Sequence, residues 1–452
     1  MSGSDPQTKR RSLVNLMQEF SLPLLAGVVV SLILANMDSH LYHTLVHYKP
    51  LGDVALFGHP LTLHFLINDV FMVLFFGIAA KEITESVLPG GPLNPIRKAV
   101  NPLMGTIGGV VGPALCFLVL SYTVYSGTGQ ADTVANGWGI PTATDIALAW
   151  LVARLVFGAT HPAVNFLLLL AVADDALGLG IIAIFYPDPA HPVHPEWLGL
   201  VAVAMGLAFA MRRMGVRSWV PYVVFAGALS WVGLLMASLH PALTLVPIVP
   251  FMPGPNHDLG LYTEHEDEEQ HGHSPLEEFE HQLKLPVDFG LFFFAFANAG
   301  VAFGSINAVT WIVLASLIVG KTIGITAFST FAERLGFPLP EGMSTRHLVV
   351  AGLVAGLGLT VALFVSGEAY SDAGPFQGPA KMGAVLSAGV AFFALAFGRL
   401  FRVDKLAPPR DEALEGPGLH TPLHDVAAAI SSTVIPARPV SSTVIKARSG
   451  ER

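Results

Sequence analysis

Long apolar stretches separated by polar connections recur along the chain from Leu22 to Phe401. A helix needs about 20 mostly apolar residues to cross the roughly 30 Å hydrocarbon core of a bilayer, and stretches of this kind are repeated along the chain. The pattern predicts about twelve transmembrane helices. Their predicted centres lie near Val29, Val73, Val110, Ala149, Val172, Met205, Ala226, Val246, Phe294, Leu317, Gly356 and Ala391. The predicted fold class is therefore an all-α polytopic membrane protein. Its expected partner is the lipid bilayer.

Composition and the placement of basic residues give the location and the orientation. Hydrophobic residues make up 52% of the chain and charged residues 13%, against about 25% charged residues in soluble domains. Lysine and arginine concentrate in alternate connections and in the N-terminal leader, and such connections tend to stay in the cytoplasm. We therefore expect a multi-pass membrane protein with both termini in the cytoplasm, and no nucleic-acid partner.

The chain divides into three parts by composition. Residues 1–20 are predicted to be a cytoplasmic N-terminal segment, residues 21–402 the membrane domain, and residues 403–452 a flexible cytoplasmic tail. Within the membrane domain, residues 253–285 are predicted to form a cytoplasmic loop rich in histidine and acidic residues. A transition-metal site in this loop is an alternative, but its histidines lack a tight ligand spacing, so we expect a solvated loop.

Four charged residues fall inside predicted spans. Asp145 lies in GIPTATDIALA, Asp174 and Asp175 are adjacent in LLLLAVADDALGLG, and Lys321 lies in ASLIVGKTIGIT. Each charge at the centre of a bilayer costs roughly 2.5 to 3.5 kcal/mol on insertion scales. A structural ion pair would account for one acid and the lysine but would leave two acids unexplained. The four residues are therefore candidates for a functional site.

The two adjacent acids are predicted to have different roles. Neighbouring residues on a helix point about 100° apart, so Asp174 and Asp175 do not face the same partner. One acid can pair with Lys321 while the other points into a water-accessible cavity with Asp145. Carboxylate oxygens are hard ligands that suit a small alkali cation, and protons compete with the cation for the same oxygens. The cluster therefore predicts exchange of protons against a cation.

Two spans contain residues that interrupt a helix near its centre. These are Gly139 and Pro141 beside Asp145 in the first span, and Gly352, Gly356, Gly358 and Thr360 in the second. Paired interruptions in the two halves of a membrane protein are typical of inverted-repeat transporters, in which half-helix ends point at the ion. We therefore expect inverted-topology repeats with two broken helices that cross at mid-membrane.

Several motifs resemble the NhaA family of sodium/proton antiporters. They are GWGIPTATDIALA from Gly137, the acid pair followed by IIAIFY, FFAFANAGV from Phe293 and IVGKTIGI from Ile318, and the resemblance extends from about Leu22 to Phe401. It implies a secondary active transporter, not an enzyme, that exchanges intracellular Na⁺ or Li⁺ for external H⁺. The resemblance further implies electrogenic, pH-regulated exchange for sodium and pH homeostasis, with no cofactor besides the transported ions.

The resemblance also assigns residues. It assigns ion binding and proton transfer to Asp174, Asp175, Asp145, Thr144 and Lys321. It assigns the role of Na⁺ ligand to Asp175, Asp174, Asp145 and Thr144. Asp175 is the implied principal ligand, which leaves Asp174 as the expected partner of Lys321. It assigns Asp69, Glu82, Glu280 and His281 to the ion pathway and to pH sensing. A homodimer is implied, with contact through a hairpin near residues 51–61.

Two other functions use intramembrane carboxylates. An intramembrane aspartyl protease would need two acids on separate helices, usually in a GxGD context that this sequence lacks, and has no use for Lys321. A transporter of the same architecture that takes up an organic anion with sodium would need cationic or polar groups to hold the anion. The span residues offer carboxylates and one lysine, so cation exchange is the favoured function.

Overall fold

The computed structural model describes residues 21–56, 59–88, 93, 96–187, 193–254, 274–370, 374–401 and 403. The helices in the first half are α1 (Leu22–Met37), α2 (Ser39–Val46), α3 (Leu63–Ser86), α4 (Ile96–Val124), α5 (Ala131–Thr142), α6 (Ile146–Phe157), α7 (Pro162–Phe185) and α8 (Pro195–Arg213). Those in the second half are α9 (Tyr222–Met236), α10 (Pro241–Phe251), α11 (Pro275–Asn298), α12 (Ala308–Arg334), α13 (Thr345–Ala355), α14 (Leu359–Ala369) and α15 (Gln377–Leu400). Two short antiparallel strands, β1 (Ala55–Leu56) and β2 (His59–Pro60), pair between α2 and α3.

The helices of the described residues agree with the predicted spans. Six of them, α3, α4, α7, α8, α12 and α15, are long and apolar enough to cross a membrane. Two bent pairs, α5 with α6 and α13 with α14, each act as one broken span. The shorter apolar helices α1, α9 and α10, together with the 24-residue α11, contain the remaining predicted centres. The protein is a multi-pass helical membrane protein, as the apolar pattern predicts.

Both broken spans change direction at the interruptions that the sequence marks. The axis bends by 56° between α5 and α6 and by 50° between α13 and α14. In the first break, Ala143 and Asp145 have extended backbone conformations, so the helical hydrogen-bond ladder stops there. The amide of Asp145 donates instead to the carbonyl oxygen of Leu357 in the second break, at 2.6 Å. The two breaks therefore cross in contact with each other.

Glycines bring α4 and α12 unusually close together. Gly108 and Gly112 of α4 face Gly320 and Gly324 of α12, and a Cβ added at Gly324 would collide with the carbonyl oxygen of Gly108. Small residues at such interfaces allow backbones to approach and gain van der Waals contact in lipid. A π-helical turn over Ser316–Gly320 directly precedes Lys321, which lies on this tightly packed segment. The position of Lys321 is therefore fixed by backbone packing.

One boundary predicted from the sequence is wrong. The sequence predicts that the acid-rich segment remains a loop as far as residue 285, but α11 begins at Pro275. Ser274 and Glu277 form a capping box that satisfies the first amides of the helix, and Leu276 and Phe279 anchor its first turns in the core. Capping and burial thus overcome the charged composition. The rest of the histidine-rich loop (255–273), residues 1–20 and the tail from residue 404 lie outside the described residues.

Candidate functional site

Asp145 caps two half-helices at the crossing point. It precedes α6, and its Oδ1 accepts a hydrogen bond from the amide of Leu148 at 3.1 Å. Its Oδ2 accepts from the hydroxyl of Thr360 at 2.9 Å and from the amide of the same residue, at the start of α14, at 3.3 Å. Each helix N-terminus carries a partial positive charge, so one buried carboxylate stabilises two of them. Asp145 thereby joins the two broken spans.

Lys321 lies at a helix C-terminus, whereas Asp145 lies at two helix N-termini. Its Nζ donates to the carbonyl oxygen of Thr142, the last residue of α5, at 2.5 Å, and to Oδ2 of Asp174 at 2.8 Å. A helix C-terminus carries a partial negative charge, so the ammonium group is stabilised by the helix end as well as by the acid. Both side chains of the ion pair are fully buried. The structure thus pairs the first acid of the doublet with the intramembrane lysine.

Asp175 points away from this ion pair, as the helical rotation between neighbours requires. It lines a cavity of about 10 Å³ with Phe76 and Ala79 of α3 and Val361 of α14. This volume is close to the minimum of about 10–15 Å³ that one water molecule needs. Among the described residues, no donor forms a hydrogen bond to Asp175 Oδ1 or to Asp174 Oδ1. Asp175 therefore presents a carboxylate to a space of atomic size.

The candidate ligand Thr144 is also placed at the crossing. Its hydroxyl donates to the carbonyl oxygen of Ala355, the last residue of α13, at 3.0 Å. Thr144 and Asp145 are thus both engaged with the broken helices in this conformation. Direct contact of either residue with the ion remains a prediction.

Four charged side chains meet at the end of α3 that bears Glu82. Lys81 forms ion pairs with Glu85, at 2.6 Å, and with Glu280 of α11, while Lys284 approaches Glu280 at 3.4 Å. Glu82 follows Lys81 directly in α3, the helix whose Phe76 and Ala79 line the cavity beside Asp175. His281, expected to act with Glu280, is exposed on α11.

Asp69 lies at the opposite end of α3, in a π-helical turn. Two buried rings, Phe76 and Phe364, pack edge to face at 5.2 Å, and Phe76 also lines the small cavity beside Asp175. Phe364 in turn contacts His240, which lies beside Asp69. The rings thus stand between the Asp69 end and the acid doublet.

Sequence reasoning did not find two contributions to this site. Thr360 was recognised only as part of an interrupted helix, although its hydroxyl and amide both bind Asp145. Lys81 joins α3 to α11 through Glu280, a role that none of the motifs assigns to it. A signal for Thr360 was available, because a threonine in a second helix break mirrors Thr144 in the first. The pairing of Lys81 over 199 positions gave no local signal.

Buried acids and a buried lysine at the crossing of two broken helices define a secondary ion transporter. A family model described as Na+/H+ antiporter 1 matches residues 12–398 of the chain. The chain therefore belongs to the Na+/H+ antiporter 1 family, as the motifs predict.

Several similar proteins bear names of the same family. The Na(+)/H(+) antiporter NhaA 1 of Pelobacter propionicus is 55% identical over 393 residues, which cover 87% of this chain and 99% of that protein. The Na(+)/H(+) antiporter NhaA of Geobacter sulfurreducens is 54% identical over 396 residues, covering 88% and 100%. That of Desulfitobacterium hafniense is 53% identical over 398 residues, covering 88% and 98%.

Proposed function

We propose that the protein exchanges Na⁺ or Li⁺ from the cytoplasm for external H⁺ across a bacterial inner membrane. The observation that carries this proposal is Asp175, whose carboxylate lines a cavity of about 10 Å³ beside the buried Asp174–Lys321 pair. A carboxylate in such a space binds either a proton or a small cation, because both need the same oxygens. Identity to antiporters over nearly their whole length supports the same exchange.

In the proposed cycle, Asp175 binds the cation when the site opens toward Glu82 and binds a proton when it opens toward Asp69. Asp145 and Lys321 hold the broken helix ends, and their charges stabilise the crossing while the site changes access. The Asp174–Lys321 pair is a second proton-accepting group next to the cation. Exchange of more than one proton for one monovalent cation moves net charge, so the proposed transport is electrogenic and driven by the membrane potential.

The cluster of Lys81, Glu85 and Glu280 supports regulation at the cytoplasmic end. These charges neighbour Glu82, which interacts electrostatically with Asp175, so their protonation changes the field along the entrance to the site.

We further propose a homodimer that uses the strand pair between α2 and α3. The strand residues Ala55 and Leu56 are exposed, so they are available for such a contact.

The alternation of basic connections supports cytoplasmic termini. To test this orientation, a cysteine is introduced at Glu268 after the single native cysteine is removed by Cys116→Ala. The new cysteine should react with an impermeant thiol reagent only in everted vesicles. Reaction in intact cells would overturn the orientation.

Transport of an organic anion is not favoured. Lys321, the lysine at the crossing, is already held by Asp174 and by the carbonyl oxygen of Thr142. The small cavity beside Asp175 also has room for little more than one water molecule or one cation. Neither feature provides a place for a carboxylate-bearing substrate.

Exchange is tested in everted vesicles with a pH-sensitive dye. After respiration has acidified the lumen, addition of Na⁺ or Li⁺ should release the fluorescence quench within seconds, whereas addition of K⁺ should not. Asp175→Asn should abolish the response, and Asp53→Asn, at an exposed carboxylate in the connection before α3, should retain it. Absence of a Na⁺ response in wild-type vesicles that contain the protein would contradict the proposed function.

A further inference from the structure

Tyr186 directly follows α7, the helix that carries the acid doublet. It is the last residue of the IIAIFY sequence, and its side chain is buried. Its hydroxyl accepts a hydrogen bond from the amide of Gly139 at 2.8 Å and donates one to the carbonyl oxygen of Asn136, also at 2.8 Å. These two backbone groups lie three residues apart in the 3₁₀-helical part of α5, Asn136–Thr142. The hydroxyl therefore clamps one turn of the first broken span.

The packing around this clamp requires a glycine. A Cβ added at Gly139 would lie 2.7 Å from the hydroxyl oxygen and from a ring carbon of Tyr186, so another residue there would push the two helices apart. The ring of Trp138 lies beside that of Tyr186, at a centroid distance of 6.4 Å, and edge-on to that of Phe185, at 5.1 Å. A buried hydroxyl that both donates and accepts holds its partners in a defined geometry. The contact therefore depends on the hydroxyl as well as on the ring.

A chain of hydrogen bonds leads from this clamp to the buried ion pair. The carbonyl oxygen of Gly139 accepts from the hydroxyl of Thr142 at 2.7 Å. The carbonyl oxygen of Thr142 in turn accepts from Nζ of Lys321, which also donates to Asp174. Asp174 lies on α7, twelve positions before Tyr186. The chain therefore begins and ends on the same helix and passes through α5 and Lys321 in between.

The last turn of α5 is a segment whose position depends on outside contacts. Hydrogen-bond geometry is poorer in a 3₁₀-helix than in an α-helix, and such turns within longer helices often mark hinges. The carbonyl oxygen of Thr142 nevertheless has to stay at Lys321, because it belongs to the negative helix end that stabilises the ammonium group. Tyr186 supplies a contact that ties this turn to α7, the helix of Asp174.

We propose that Tyr186 is a positioning residue of the exchange site, whose hydroxyl holds the last turn of α5 so that Thr142 and Asp174 bind Lys321 together. Tyr186 does not itself touch the cation. Without the hydroxyl, the Thr142 carbonyl oxygen is held less firmly, and the ammonium group of Lys321 is then free to approach Asp175 and compete with Na⁺. The inference rests on the proposed exchange function and adds Tyr186 to its machinery.

The half-saturating Na⁺ concentration for exchange in everted vesicles tests this role. Tyr186→Phe keeps the ring and removes only the hydroxyl, and it should raise that concentration about fivefold, the effect of one net hydrogen bond. Tyr42→Phe is the matched control, because the hydroxyl of buried Tyr42 also binds two backbone groups, the carbonyl oxygens of Phe296 and Ala297 in α11. It should lower the thermal midpoint about as much as Tyr186→Phe does and leave the half-saturating concentration unchanged. Equal half-saturating concentrations for the two variants would reduce Tyr186 to a structural role and overturn the proposal.

A double variant tests the route through α5. Thr142→Val removes the hydroxyl that binds the carbonyl oxygen of Gly139, so it should also raise the half-saturating Na⁺ concentration. Because both substitutions break one chain, Tyr186→Phe combined with Thr142→Val should have no more effect than the larger single change. Single effects that multiply in the double variant would overturn the proposed route while leaving exchange intact. A wild-type protein that exchanges no Na⁺ would instead overturn the proposed function, and the positioning role with it.

Discussion

Replacement of Asp174 by asparagine should destabilise the protein, because the buried charge of Lys321 then has no carboxylate beside it. The two side chains have nearly the same volume, so the packing of α7 is preserved and the change removes one charge. Lys321 would keep its hydrogen bond to the carbonyl oxygen of Thr142 but lose the carboxylate at 2.8 Å. Both members of the pair are fully buried, so water does not replace the lost partner.

The expected magnitude follows from this burial. Breaking a buried ion pair by removing one partner costs about 3–5 kcal/mol, because the remaining charge is uncompensated. Removing the second charge as well, in Asp174→Asn with Lys321→Gln, should recover part of that loss. The coupling between the two substitutions should be about 0.5–3 kcal/mol, the range for residues in direct contact. The double variant should therefore be more stable than Asp174→Asn alone.

Thermal unfolding of the purified protein in detergent, without Na⁺, measures this coupling. The single variants should unfold at clearly lower temperatures than wild type, and the double variant at an intermediate temperature. Asp53→Asn supplies the control for a solvent-exposed pair, since its partner Lys49 is also exposed, and it should leave the midpoint unchanged. A double variant whose loss equals the sum of the two single losses would refute the energetic pairing of Asp174 with Lys321.

Three further predictions concern packing, the helix crossing and regulation. Gly324→Ala would force α4 and α12 apart and should cost about 1–3 kcal/mol, seen as a lower thermal midpoint; an unchanged midpoint would contradict the close approach. Thr360→Val removes the hydroxyl that binds Asp145 and should raise the half-saturating Na⁺ concentration about threefold or more, whereas Thr360→Ser should not; equal behaviour of the two variants would exclude a role for the hydroxyl. Glu280→Gln and His281→Ala should shift the pH profile of exchange without lowering its maximum, and profiles that stay in place would disprove the sensor role.

The multi-pass helical architecture could be predicted because lipid leaves a strong signal in sequence. Apolar stretches must be long enough to cross the bilayer, and all backbone polar groups must be satisfied within helices. The two breaks were predictable for a related reason, since glycine and proline in the middle of an apolar span weaken the helix. The start of α11 was not predictable from charge, because the Ser274 capping box and the burial of Phe279 decide it.

The partners of the buried charges were only partly predictable. Asp174 and Asp175 are neighbours on one helix and point in different directions. It could therefore be predicted that one acid pairs with Lys321 and the other faces a cavity. The hydrogen bonds of Asp145 to Thr360 join positions 215 residues apart, and the only sequence signal for them is that Thr360 in the second break mirrors Thr144 in the first. The sequence places Glu368 at the end of a span, and only the fold brings it to His240.

Na⁺-dependent thermal stabilisation shows whether Asp175 binds the transported cation. A ligand at 100 times its dissociation constant stabilises the folded state by about 2.7 kcal/mol, so saturating Na⁺ should raise the midpoint of the wild-type protein. Asp175→Asn should fold and should show no such rise, while Asp53→Asn should respond as wild type does. If Na⁺ protects Asp175→Asn against heating as well as it protects the wild type, the cation binds elsewhere and Asp175 is not its ligand.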